Sequence, residues 1–506
     1  MPVARTLSVA LRGVDGSLVE IEADLANGLP AFTIIGLPDA ALGEAKDRVR
    51  SAASNSGCDL PSRKVTVNLS PASLPKHGSG FDLGIAVAAL ATTGIVSHEA
   101  IDAVVHLGEL SLDGRLRPVA GVLPAVLAAR RGGARAVVVP SGNADEARLV
   151  PGIRIIAAAS LRDVLIGHGA ELDPVAVEAL IGPEAEGPLH ETGDLADVVG
   201  HPEAVEALQV AAAGGHHMLM LGPPGAGKTL LASRLPGLLP DLEPDAAVEV
   251  SSVRSLAGLP LGSSLVTRPP LEAPHHSATM ASLVGGGSGL VRPGAISRAA
   301  HGVLFLDEAP EFSGAVLDAL RQPLETGEIT IHRARTVARF PARFQLVLAA
   351  NPCPCGHGGS DECTCTPLTR RRYLGRLSGP LLDRIDLHLT VRRVSVAQMT
   401  EGASGPMTTA DARQRVIAAR ARARSRWGAE GWQLTAHVPG PALRAPRWRL
   451  PGADRGALDR ALERGALTMR GYDRVLRVAW TLADLDGVDR PSADHVGRAL
   501  FLRKGI

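Results

Sequence analysis

The sequence predicts a multidomain α/β protein that ends in a small all-helical unit, and three observations predict it. Short β-branched or apolar runs alternate with Ala-rich helical stretches from Leu7 to about Leu165. The same alternation returns from about Leu195 to Val394, where it surrounds a glycine-rich octapeptide, Gly222 to Thr229. After Ser395 the strand pattern stops and only helical periodicity remains.

In the first unit the runs 64–68, 136–140 and 153–156 read as strands, and Asp82–Ala91 and Val122–Arg131 as helices. Between Asp173 and Asp194 the pattern dissolves into Pro, Gly and acidic residues, which suits a linker. In the last unit 412–426, 454–467, 470–485 and 493–502 read as helices. The expected boundaries are 1–172, a linker over 173–194, 195–395 and 396–506. A chain of 506 residues, 45% hydrophobic and 21% charged, can bury several cores, since a domain takes roughly 100–200 residues.

The formal net charge of +1 sets 53 basic against 52 acidic residues, so any anionic partner must be held by local patches. Arg12 and Gly13 interrupt the N-terminus before a signal-peptide-length apolar run. The longest apolar run, near Gly84 to Val96, is shorter than the roughly 20 residues that span a bilayer, so the expected location is the cytoplasm and no membrane contact is expected. Aromatic residues make up 3%, too few for a broad base-stacking platform.

Met218–Leu221, Gly222-Pro223-Pro224-Gly225-Ala226-Gly227-Lys228-Thr229 and the helical run that follows are a strand, a glycine loop and a helix start, the context of a P-loop. Its N–H groups are expected to cradle the phosphates of ATP, Lys228 to reach the β- and γ-phosphates and Thr229 to ligate Mg²⁺. Val303–Glu308 reads as a buried strand ending in two carboxylates, with Asp307 at the Mg²⁺ and Glu308 as the base for the attacking water. Asn351, at the end of the apolar run Phe344–Ala350, is either a γ-phosphate sensor or a turn former.

These residues resemble the magnesium-chelatase-like AAA+ family of bacteria, in its ComM or YifB branch. The likeness is carried by Ala211–His217, Ala273–Ser277, Gly285–Gly287, Arg292–Ala295, Leu320–Glu325, Asn351–Gly356 and Arg376–His388. The resemblance implies an AAA+ P-loop core, a small α-helical C-terminal lid and a homo-hexamer with ATP between subunits. It implies that Arg384 is an arginine finger and Arg470 the sensor arginine of the lid, with Arg474 and Arg477 as rivals. It also implies two pore elements, about Pro274 to Pro293 and Ile329 to Arg339, with Arg333 and Arg335 near a hairpin tip where they could grip DNA phosphates. Arg413, Arg415, Arg420, Arg422, Arg424 and Arg426 form a second basic group, read either as a DNA contact or as a solvated helix face.

The first unit resembles the Lon-protease-like fold through Pro75–Gly84 and Gly108–Gly114. In the preferred register Asp82 stands where a protease needs serine, with Ser79 nearby, and Val119 to Ala129 holds no lysine. Proteolysis is therefore ranked last among the functions. The leading expectation is a Mg²⁺-dependent ATPase that moves on DNA, as helicase or in branch migration of recombination intermediates. The alternative is an ATP-driven protein-remodelling or metal-chelatase-type chaperone. Cys353, Cys355, Cys363 and Cys365 are expected to hold a structural Zn²⁺, with His357 as a substitute ligand. The pairs His216-His217 and His275-His276 are read as packing and hydrogen-bonding residues.

Overall fold

The computed structural model describes residues 3–36, 40–182, 193–287, 291–333, 337–358, 362–394 and 407–503. Its first sheet has seven strands: β1 (Ala4–Arg12), β2 (Asp15–Ala26), β3 (Ala31–Ile35), β4 (Lys64–Ser70), β5 (Val104–His106), β6 (Ala136–Pro140) and β7 (Arg154–Ala158). Their order is β3-β4-β2-β1-β5-β6-β7, with β1–β2 and β2–β4 antiparallel and the other neighbours parallel. Alternating side chains serve two cores, as a period of two requires. Val104, Ala136 and Val138 face α1 (Ala40–Asn55), α2 (Asp82–Ala91) and α4 (Leu161–Gly167), while Val105, Val137 and Val139 face α3 (Val122–Arg131). Helices α2 and α3 have the bounds that the sequence predicts.

The second sheet is wholly parallel: β8 (Met218–Leu221), β9 (Leu271–Glu272), β10 (Val303–Leu306), β11 (Gln345–Ala350) and β12 (Leu387–Thr390), in the order β9-β10-β11-β8-β12. Helices α5 (Pro202–Gly214) and α6 (Lys228–Leu238) cover one face. Met218, Met220, Phe305 and Val347 point to that side, and Leu219, Leu304, Leu306 and Leu348 to the other. Burying both faces explains why these strands read as unbroken apolar runs.

Helix α3 packs on α7 (Pro244–Ala257), where the Gly121 N–H donates to the Ser255 carbonyl at 3.0 Å. The buried Glu146 carboxylate accepts from the Leu123 N–H at 2.8 Å and from the Ser255 hydroxyl, and burial raises its pKa. The C-terminal helices α8 (Thr409–Trp427) and α9 (Met469–Asp486) pack on α5. Of the six arginines on α8, Arg415, Arg422 and Arg424 are exposed, as a solvated face has them, and three fit neither expectation. The guanidinium of Arg420 is buried and donates to the Ala212 carbonyl, Arg413 pairs with Asp241 at 2.8 Å, and Arg426 forks onto the buried Asp484 at 2.6 and 2.9 Å. They clamp the helix to the rest of the fold, because a bare guanidinium against a packed face needs acceptors. No helix of the described residues is long and apolar enough to cross a membrane.

Candidate functional site: a P-loop, two carboxylates and a cysteine knuckle

The glycine loop leaves β8 at the C-terminal edge of the sheet, where all five strands end on the same side. At Gly222 a Cβ would lie 2.1 Å from the Val391 carbonyl oxygen, so the loop passes β12 too closely for any side chain. Gly227 caps α6 with φ +88°, in the left-handed region that favours glycine. The Lys228 ammonium donates to Gly222 O at 2.6 Å, Pro223 O at 3.0 Å and Asn351 Oδ1 at 3.0 Å. Burial lowers its pKa, and Asp307 and Glu308 oppose that shift.

Strand β11 lies between β8 and β10, and this order carries Asn351 to the lysine. The Thr229 hydroxyl donates to Asp307 Oδ2 at 2.7 Å, so two oxygens suited to a hard divalent cation sit side by side. Asp307 Oδ1 accepts from the backbone N–H of Glu308 at 2.9 Å. Glu308 itself has φ +50°, ψ +43°, a left-handed conformation for a residue with a Cβ. Its half-exposed carboxylate lies 3.4 Å from His276 Nδ1. The glycine cradle, the lysine and the paired oxygens fit a Mg²⁺-nucleoside triphosphate.

The two arginines lie elsewhere. Leu387 pairs with Met218, the first residue of β8, so Arg384 stands at the sheet edge opposite the loop that follows Leu221. Four residues of strand alone separate those edges by about 13 Å. Arg384 binds the Glu325 carboxylate, and burial followed by the charges of Arg321, Arg470 and Arg474 lowers its pKa. Arg470 is exposed and 3.6 Å from Asp383, and both arginines line a cleft of 1790 Å³ that holds no P-loop residue. Arg474 is paired with the buried Asp386, whose carboxylate is held well below its usual range by Arg474 and His216 against the cost of burial. Arg477 is turned to the Val438 carbonyl at 2.8 Å. Among these three arginines of α9 Arg470 alone is exposed.

The four cysteine Sγ atoms lie within 4.8 Å of one another, with Cys353–Cys355 at 3.3 Å, Cys355–Cys363 at 3.6 Å and Cys353–Cys363 at 3.8 Å. Tetrahedral Zn–S bonds of about 2.3 Å put sulfurs about 3.8 Å apart, so the donor set fits zinc. The His357 backbone N–H, helped by neighbouring thiols, pulls Cys355 down to about 5, which supplies a first thiolate. The His357 ring is 3.0 Å from Glu362 and is not part of the group. A Cβ on Gly356 would lie 2.6 Å from Pro224, so the cysteine loop packs directly on the P-loop.

The hairpin of Glu328–His332 and Val337–Pro341 is antiparallel, and Arg335 lies outside the described residues. A Cβ on Gly286 would meet the Arg333 guanidinium at 3.9 Å, so the glycine segment and the hairpin touch. Exposed Arg292 and Arg339 stand on the same elements, a contribution that residue spacing alone does not reveal. In the first sheet, Ser79 donates to Glu109, and Lys76 is buried with its ammonium on the Gly36, Leu69 and Pro71 carbonyls. Asp82 is fully buried and held by both arms of Arg48 at 2.7 and 3.0 Å. No serine–lysine dyad forms among these residues. His216 bridges Asp386 and Thr481 at 2.9 and 2.8 Å, and His217 accepts from the Leu346 N–H at 3.0 Å.

Fold and site together define an AAA+-like P-loop ATPase. Residues 194–399 match the family described as magnesium chelatase, subunit ChlI, residues 21–143 match subunit ChlI of Mg-chelatase, and residues 406–503 match its C-terminal region. The chain is 50% identical to a protein of Mycobacterium tuberculosis over 100% of its own length and 99% of the relative's. It is 43% identical to competence protein ComM of Haemophilus influenzae (99% and 98% of the two chains) and 40% identical to YifB of Escherichia coli (98% and 96%). The chain belongs to the magnesium-chelatase-like family, in its ComM/YifB branch.

Proposed function

We propose that this chain is a cytoplasmic, hexameric, Mg²⁺-dependent ATP-hydrolysing motor that acts on DNA, as helicase or in branch migration. On this reading 1–172 is a Lon-protease-like domain without protease chemistry, 195–395 an AAA+ core and 396–506 a helical lid. The observation that supports a ring is the position of Arg384, three residues before β12 begins at the edge of the sheet far from the P-loop, with Arg470 of α9 3.6 Å from the adjacent Asp383. They serve the nucleotide of the neighbouring subunit, where an arginine finger is worth roughly 10³–10⁵ in rate.

Within one subunit, backbone N–H groups of Gly225 to Lys228 and the Lys228 ammonium hold the triphosphate. Thr229 and Asp307 would hold Mg²⁺, which would supply positive charge to the phosphates. Glu308 takes the proton of the attacking water, and Asn351 keeps Lys228 aimed while presenting its amide to the γ-phosphate. The four cysteines would hold zinc, which would brace the segment after Asn351 that packs on the P-loop through the Gly356–Pro224 contact. Elemental analysis should find about one zinc per chain, lost in Cys353→Ser.

DNA as the substrate is supported by Arg333, Arg292 and Arg339 on the two touching pore elements, repeated around a ring, and by likeness to a relative named for competence. The test is ATPase rate and strand displacement on forked and four-way DNA. Stimulation is expected, with a binding log–log salt slope near −0.9 per phosphate neutralised. Arg333→Ala with Arg339→Ala should lower that slope and uncouple hydrolysis from DNA while basal hydrolysis persists. A wild-type protein indifferent to every DNA would transfer the assignment to protein remodelling.

A further inference from the structure

Strands β1 and β2 turn back on each other between Arg12 and Asp15, and Gly13, inside that turn, forms a parallel bridge with Arg339 of the arginine-bearing hairpin. The Val14 N–H donates to the Arg339 carbonyl at 3.4 Å, and a Cβ on Gly13 would strike that same oxygen. Gly13 also has φ +69°, in the left-handed region. A side chain at this position would therefore strain the turn and push the hairpin away.

The seat has apolar packing of its own. Leu11 and Val14 of the turn pack on a small buried cluster made of Leu256 from α7, Val291 beside Arg292, and Ala338 and Phe340 from the hairpin. Behind it the Gly121–Ser255 hydrogen bond anchors α3 to α7. The first domain thus meets the hairpin through backbone and core, so where the hairpin stands depends on where that domain stands.

Around the seat the charge is of one sign. Arg12 in the turn, Arg292 next to the glycine segment and Arg339 on the hairpin are exposed, and Arg333 is half-buried beside Gly286. Among the described residues none of these four guanidiniums has a carboxylate or hydrogen-bond partner, and Asp15, level with Arg12 across the turn, makes no ion pair with it. Arginines elsewhere are spent on acids, as Arg413 is on Asp241 and Arg426 on Asp484. Unpaired guanidiniums keep their whole donor fork for phosphate oxygens brought from outside.

We propose that the first domain takes part in the grip on DNA: its β1–β2 turn seats the hairpin and adds Arg12 to the phosphate-contacting surface of Arg292, Arg333 and Arg339. This assignment rests on the DNA reading above. One arginine per subunit is a modest contact, but a closed ring repeats it around the strand, and each phosphate neutralised adds about 0.9 to the log–log salt slope on duplex DNA.

The experiment is equilibrium binding of a fluorescent forked DNA by the full-length protein across a salt series, for wild type, Arg12→Ala, Arg12→Lys, Gly13→Ala and Arg5→Ala. Arg12→Ala should lower the slope by about 0.9 for each Arg12 that meets a phosphate, and should weaken DNAs of different sequence equally. Arg12→Lys should restore most of the slope, because a phosphate contact needs the charge. Arg5, at the other end of β1 about 23 Å away and 3.1 Å from Glu22, is the control whose replacement leaves the slope unchanged. Gly13→Ala keeps every charge yet should lose affinity, with faster amide exchange in Glu328–His332 and Val337–Pro341 as the seat opens. Where Gly13→Ala does not fold, the two Arg12 variants decide alone. Wild-type slope and affinity in Arg12→Ala, with its thermal transition unchanged, overturn the proposal, as does Arg12→Lys behaving like Arg12→Ala. A folded Gly13→Ala with unchanged affinity and hairpin exchange overturns the seat. A wild type that binds no DNA overturns the DNA reading itself, and the wild-type curve alone tells that failure from the others.

Discussion

In the five-stranded sheet the nucleotide-site side chains collect at the C-terminal strand ends, with Asp307 and Glu308 at least partly open to solvent, whereas in the seven-stranded sheet Asp82 and His106 are buried and satisfied by their neighbours. Lys228, Asp307, Glu308 and Asn351 all follow the last residue of a strand or loop, where the backbone offers N–H groups and space. Asp82, by contrast, opens a helix whose side chains are all buried, and Arg48 closes over it. His106 sits between Thr6 and His168 at 2.8 and 2.9 Å. The same α/β layering thus gives a reaction site in one unit and a filled interior in the other. Polar residues do chemistry only where the fold leaves them a free partner face.

The strongest break of that contrast comes from Glu308→Gln, which keeps the shape and removes the basic oxygen. Phosphate release should fall about 10²–10⁴-fold while nucleotide binding persists, as measured by steady-state assay and titration. In the other sheet the equivalent change, Asp82→Asn, should act on stability instead. It strands a largely buried guanidinium and should cost about 3–5 kcal/mol, read by denaturant unfolding, with residual ATPase at low temperature near wild type.

Acid should separate the two sheets by a smaller margin. Burial holds His217 and His388, in the five-stranded sheet, down at about 4. The unfolded chain binds those protons near pH 6.5 and the folded chain does not, so stability is lost as pH falls below 6.5, by up to about 1.4 kcal/mol per pH unit for each ring. In the seven-stranded sheet His106, lowered to about 3, acts the same way, but Asp82 is pushed up to about 6 by burial and takes a proton in the folded state first. The two oppose each other between about pH 6 and 4. Amide exchange of the full chain at pH 7.5 and 5.5 should show protection falling more in β8 and β12 than in β5. Equal loss in both sheets would remove this distinction.

Much of the site is legible in sequence because its chemistry is contiguous: the octapeptide 222–229 and the strand end Asp307-Glu308 carry their own context. The four cysteines fall within thirteen residues and converge for the same reason. What depends on distant chain is not legible. Arg420 and Arg426 of α8 read as part of a free basic face until Ala212 and Asp484 are folded against them. The His276–Glu308 contact needs the β9–β10 register, which no local pattern supplies. Lys76 is far from the segment where a protease lysine would stand, and only the structure shows its ammonium spent on three carbonyls.

The claim that the fold divides each ATP site between two subunits is tested most directly by mixing inactive variants. Arg384→Ala keeps an intact P-loop and Lys228→Ala keeps an intact arginine, and each alone should hydrolyse ATP at a small fraction of the wild-type rate. Combined in equal amounts under subunit exchange, about a quarter of the interfaces in a closed ring join one intact half to the other, and ATPase should recover toward that share. Recovery at no mixing ratio, with exchange verified by labelled subunits, would contradict a shared site.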